Sequence, residues 1–154
     1  MTIAFHLPED CDHRVRAIYD YWCAIRPGAR LPTRADMDPV DIPALLPHVW
    51  MADVEHSPFR FRFRLVGSAI VRGLGRDVTG RYFEDCFDDF EGSGPYNTLA
   101  EVCSTGAPTW RRGPALLTRE GYNVKQIERV FLPFAADGES VDLLLALSVY
   151  VLED

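Results

Sequence analysis

Phe59-Arg60-Phe61-Arg62-Phe63-Arg64-Leu65 alternates a large apolar side chain with an arginine at every step. Successive side chains of an extended strand point to opposite faces, so a period of two predicts a β-strand. Phe59, Phe61, Phe63 and Leu65 then share a buried face, and Arg60, Arg62 and Arg64 take the opposite one. Burial of such side chains is the main gain, at about 25 cal/mol per Å² of apolar area removed from water. Just upstream, an apolar run over residues 49–54 reads as a second strand, and Glu55-His56-Ser57-Pro58 turns one into the other. An antiparallel hairpin with one buried face follows.

Working outward, Gly67, Gly73, Gly75 and Gly80 punctuate the next stretch, so only brief helices fit between them. Ser93-Gly94-Pro95 offers a cap and an early proline before Tyr96, Leu99, Val102 and Cys103, and Gly106 stands where a helix stops. Three extended runs close the chain, over 108–117, 124–134 and 141–152, separated by Thr118-Arg119-Glu120-Gly121 and Ala136-Asp137-Gly138. Toward the N-terminus, Asp10 or Asp12 can cap a helix whose stripe Val15, Ile18, Tyr19, Trp22 and Ile25 keeps helical spacing until Pro27-Gly28. Residues 30–47 hold four prolines and leave room for one short turn around Ala44-Leu45-Leu46. The order predicts an α+β fold: a five-stranded antiparallel sheet with helices on one face and an N-terminal amphipathic helix. Residues 1–47 read as helix and connector, and 48–154 as the core domain.

Composition narrows the function. A chain of 154 residues with 47% hydrophobic and 25% charged residues can build one core unaided. Sixteen Lys+Arg against 23 Asp+Glu leave a net charge of −7, which repels phosphate backbones, so nucleic acid is not an expected partner. No apolar stretch is long enough to span a bilayer, and residues 1–12 lack the pattern of a signal peptide, so a cytoplasmic protein is expected. Cysteines at 11, 23, 86 and 103 and histidines at 6, 13, 48 and 56 show no paired ligand spacing, and no metal site is expected.

Chemical constellations are sparse. The acidic run over 84–91 lacks the order of a calcium loop and reads as a solvated loop anchored by its phenylalanines. Gly73-Leu74-Gly75 with Gly80 lacks the Lys and Ser/Thr of a phosphate loop. The Phe/Arg strand lacks the glycines of RNA-recognition sheets. No serine lies in Gly-x-Ser-x-Gly. A non-enzymatic protein is therefore expected.

Several motifs, taken in order, carry a family likeness. They are Tyr21-Trp22, Leu31-Pro32-Thr33-Arg34-Ala35-Asp36 with Asp38-Pro39 and Ile42-Pro43, Leu46-Pro47-His48-Val49, Phe63-Arg64-Leu65-Val66-Gly67, and Gly75-Arg76-Asp77-Val78-Thr79-Gly80. With two strands, short helices, a longer helix and three strands, the chain resembles the PAS family, and more narrowly the single-domain PAS-like group of alphaproteobacteria. The motifs cover the chain to about residue 90, and beyond that the strand order alone supports the likeness. The resemblance implies a curved sheet over a small apolar cavity, roofed by the helices, that in some members holds haem, flavin or a metabolite and in others serves partner proteins. In flavin-type photoreceptors the reactive cysteine stands three residues after a helix-opening glycine; counted from Gly80 that residue is Phe83, with Cys86 three further on. Haem-binding members use a histidine on the longer helix, and residues 95–105 hold none. No cofactor is expected.

The leading expectation is thus a sensory or regulatory module that binds a small ligand or a protein partner in signal transduction. Its candidate ligand-binding residues are Phe61, Phe63, Tyr82, Phe83, Leu99, Trp110, Phe131 and Leu145, any of which plain core packing would also explain. The alternatives are a small α+β enzyme with a polar pocket over the sheet, or a ligand-free scaffold. The uniformly apolar Val141, Leu143, Leu145, Leu147 and Val149, taken as inward positions of the last strand, argue against the enzyme. The resemblance also implies a homodimer through the N-terminal helix, with Trp22 as its anchor.

Overall fold

Alternation along residues 59–65 does produce a strand, and its burial follows the sequence up to Phe63. The computed structural model describes residues 5–119 and 121–152, so Glu120 of the predicted turn lies outside the described residues. Strand β1 (Val49–His56) and strand β2 (Phe59–Val66) form the expected antiparallel hairpin. A bulge changes its far end. Phe63 faces Ala52 but Leu65 faces Met51, so Arg64 is an extra residue and Leu65 turns to the face opposite the phenylalanines. The expected four-residue apolar face is therefore three phenylalanines long.

Helix α1 (His13–Ile25) is capped by the Asp12 carboxylate, which accepts from the Arg14 amide at 2.8 Å. Asp10 instead pairs with Arg112. The connector makes three single 3-10 turns, Arg34–Asp36, Pro39–Asp41 and Leu46–His48, where one around residue 45 was expected. Thr33 and Asp36 form a capping box and Asp38 caps its own proline-led turn, which is how a proline-rich segment satisfies its backbone locally.

After β2 come α2 (Ser68–Leu74), the single turn α3 (Phe83–Cys86) and α4 (Gly94–Thr105). Gly75 and Gly106 end α2 and α4 at positive φ. The Ser93 hydroxyl caps α4 by accepting from the Tyr96 amide. Strands β3 (Thr109–Gly113), β4 (Val124–Phe134) and β5 (Leu143–Leu152) complete one sheet in the order β2-β1-β5-β4-β3, antiparallel throughout.

The sheet is covered on both faces. Val15, Ile18 and Trp22 of α1 are buried, and the Trp22 indole donates to the Pro133 carbonyl at 2.9 Å. Pro133 lies beyond the end of β3, where a missing N–H costs no ladder bond. Helices α2, α3 and α4 lie over the opposite, inner face. Double coverage explains why β5 reads Leu-Leu-Leu-Ala-Leu-Ser-Val, buried at every position from 143 to 149.

Candidate functional site

Residues paired across adjacent strands share a face, which assigns the two sides of the sheet. Phe61 and Phe63 of β2, Trp50 and Ala52 of β1, Leu144, Ala146 and Ser148 of β5, Arg129 and Phe131 of β4, and Thr109 and Arg111 of β3 look inward. Leu143, Leu145, Leu147, Glu128, Val130, Leu132, Trp110 and Arg112 look toward α1.

At the β2 end the inner face is filled solid. Phe59, Phe61, Phe83, Phe90 and Tyr96 meet edge-on or tilted, with centroids 5.1–6.4 Å apart. Phe83 stacks on Phe63 at 4.0 Å. The acidic run is therefore a phenylalanine-anchored loop as read, and its Glu84 pairs with Arg60.

Toward β3, β4 and β5 the filling stops, leaving a cavity of about 210 Å³. Its aromatic wall is Trp50, Phe63, Phe83, Phe87 and Phe131; α2 adds Ile70 and Leu74, and α4 adds Pro95 and Thr98. The loop residues Leu116, Leu117 and Thr118 close one side and are shared with a second hollow beside Arg76, Cys86 and Asp88.

Polar groups enter the cavity on the sheet. Arg129 is 7% exposed, and its guanidinium lies 4.1 Å from the Phe131 ring and donates to Thr109 Oγ1 at 3.1 Å. Burial first, then the like charge of Arg111, brings its pKa down to about 10. It remains a cation at neutral pH. Among the described residues Arg111 reaches only the Pro114 carbonyl, at 2.6 Å. Neither arginine has a carboxylate partner among the described residues. Tyr150 also borders the cavity, and burial, with Tyr122 beside it, pushes its phenol up to about 12.

Of the eight residues singled out from sequence, Phe63, Phe83 and Phe131 line this cavity. Phe61 and Leu99 are buried in the core without bordering it. Three lie elsewhere. Leu145 pairs with Met51 and Leu132 on the α1 side; because β5 is apolar on both faces, composition could not tell its sides apart. Trp110 is also on that side, its indole donating to Glu128 at 3.2 Å, within a knot where Arg112 bridges Glu128 and Asp10. Tyr82 bridges Arg62 on the arginine face, donates to Glu55 at 2.9 Å and lies under the Arg60 guanidinium. Arg111, Arg129 and Ser148 were missed. One cue was present: Ser148 breaks an otherwise apolar run in a strand buried on both sides.

The sequence profile of the PAS domain family matches residues 12–148. The chain belongs to the PAS family. This PAS domain thus includes α1 within its matched region. No curated protein matches it. Among solved structures it is similar to a fungal LOV domain photoreceptor, whose structure is described as revealing an evolutionarily conserved pathway integrating blue-light and oxidative stress. That likeness has a TM-score of 0.50 at 13% identity and covers 89% of this chain and 91% of the other. At that identity the similarity shows a shared PAS/LOV-like fold. No described helix is long and apolar enough to cross a membrane.

Proposed function

We propose that the chain is a sensory or regulatory PAS module of the cytoplasm that binds a small ligand in the inner-face cavity and passes the change to a protein partner. The observation that carries this reading is the cavity itself, about 210 Å³ in a domain whose other half is packed solid with aromatic rings. For scale, an apolar cavity of about 150 Å³ takes benzene. Binding is favoured over catalysis because no carboxylate, histidine or cysteine lines the cavity among the described residues, and its Arg129 and Tyr150 hold their protons at neutral pH. Counted from Gly80, Phe83 stands where a flavin-type photoreceptor has its reactive cysteine, and residues 95–105 hold no histidine, so we read the ligand as neither flavin adduct nor haem. The motifs quoted above support a place in the PAS-like group of alphaproteobacteria.

Native mass spectrometry before and after denaturation tests this. A discrete small-molecule mass released on unfolding is expected; identical masses, together with no thermal shift from a small-molecule collection, would favour the scaffold. In a homodimer through α1, contact would fall to the half-buried Tyr19 and Ile25, because Trp22 is already committed to the chain's own sheet. Light scattering at tens of micromolar checks that state.

A further inference from the structure

We propose that the cavity takes a small organic oxyanion, its carboxylate or phosphate head held by Arg129 and Arg111 and its ring-sized apolar body against Trp50, Phe63, Phe83 and Phe131. This rests on the ligand-binding reading and names the chemical class of the ligand.

The register places Ser148, Arg129 and Arg111 directly opposite one another on β5, β4 and β3, a polar row across the floor of an otherwise apolar space. Like charges directly opposed across two strands destabilise a sheet. A buried cation without a counter-charge is costlier still, and apolar side chains would fill the same positions more stably. The chain has 23 acidic residues and a net charge of −7, yet among the described residues none is spent on this pair. Of the five N–H donors of the Arg129 guanidinium, one reaches Thr109 Oγ1. The remaining donors form a fork suited to a carboxylate or phosphate, with the Ser148 hydroxyl alongside. An anion seated there supplies the missing counter-charge. The aromatic walls give its body a surface, and a volume somewhat above that for benzene limits the body to about one ring.

The test uses calorimetric titration of the full chain with 3-phenylpropanoate, its uncharged primary amide, and 2-phenylethyl phosphate. The acid should bind at least about tenfold tighter than the amide, as one charge-assisted hydrogen bond provides. In Arg129→Met that preference should fall below about twofold while amide binding persists, and Arg111→Met should weaken acid binding in the same direction. Whichever of the carboxylate and the phosphate ester binds tighter identifies the head group. Equal affinity of wild-type protein for acid and amide overturns the oxyanion assignment and leaves the ligand cavity standing. Failure of all three probes to bind overturns both.

Discussion

Arg129→Met should make the free protein more stable, which is an unusual outcome for a core substitution. Burial and Arg111 hold the guanidinium at about 10 against an ordinary 12.5. At about 1.36 kcal/mol per pH unit, that is a standing cost of roughly 3 kcal/mol. Because the folded value is the lower one, the folded state binds this proton less tightly than the unfolded chain does. The cost is therefore fully present below about pH 10 and fades only as pH climbs from there toward 12.5. Methionine removes all of it at neutral pH and fills a similar volume. Against this stand the Thr109 hydrogen bond, about 1.5 kcal/mol, and the contact with the Phe131 ring, about 1 kcal/mol. The net gain is about 1 kcal/mol, or a rise in Tm of roughly 2–4 °C for a chain of this size. Parallel thermal melts near pH 7 read it directly. A fall in Tm would refute the reasoning, since it would mean that Arg129 is satisfied in the free protein.

Gly67→Ala should be strongly destabilising, because an added Cβ would run into the backbone carbonyl oxygens of Leu46 and Pro47, neither of which can rotate away; an unchanged Tm would mean that the Leu46–His48 turn can shift. Gly80 fails differently: nothing surrounds its missing Cβ, but its φ is +84°, so Gly80→Val should cost about 1–3 kcal/mol and Gly80→Asn much less, as chemical denaturation would show. His48 has a buried Nδ1 with no partner among the described residues, and burial first, then Arg14, lowers its pKa below 6.5. The unfolded chain then binds the proton more readily, so stability should drop as pH falls below about 6.5, and in His48→Gln this part of the slope should vanish from melts across about pH 5–7.

Where one face of an element is apolar and the other polar, the sequence was a sufficient guide. Phe59 to Phe63, the α1 stripe and the capped helix α4 all follow from spacing and end signals. Where both faces are buried, periodicity vanishes. Residues 143–149 are apolar or small throughout, so Leu145 and Leu144 look alike in sequence although only Leu144 faces inward. The bulge at Arg64 was invisible for a related reason, since an extra residue is defined by the partner strand. Trp110 and Tyr82 misled because an aromatic ring suggests an interior, while their hydrogen bonds to Glu128 and Glu55 hold them on the other side of the sheet. Arg111 and Arg129 could be placed in the cavity only once the pairing of β3 with β4 was known.

The strand order also governs when this chain can fold during synthesis. β1 and β2 join the rest of the sheet only through the pairing of residues 49–53 with 143–147 of β5, the last strand to be made. Until that strand has left the ribosome, the hairpin has an open edge, and α1 lacks the β4 and β5 surface that buries Trp22. Closing so long a loop is entropically expensive and slow, and a waiting edge strand invites pairing with other chains. A nascent chain arrested before residue 143 should therefore be protease-sensitive and aggregation-prone, and folding should complete in one late step as β5 emerges.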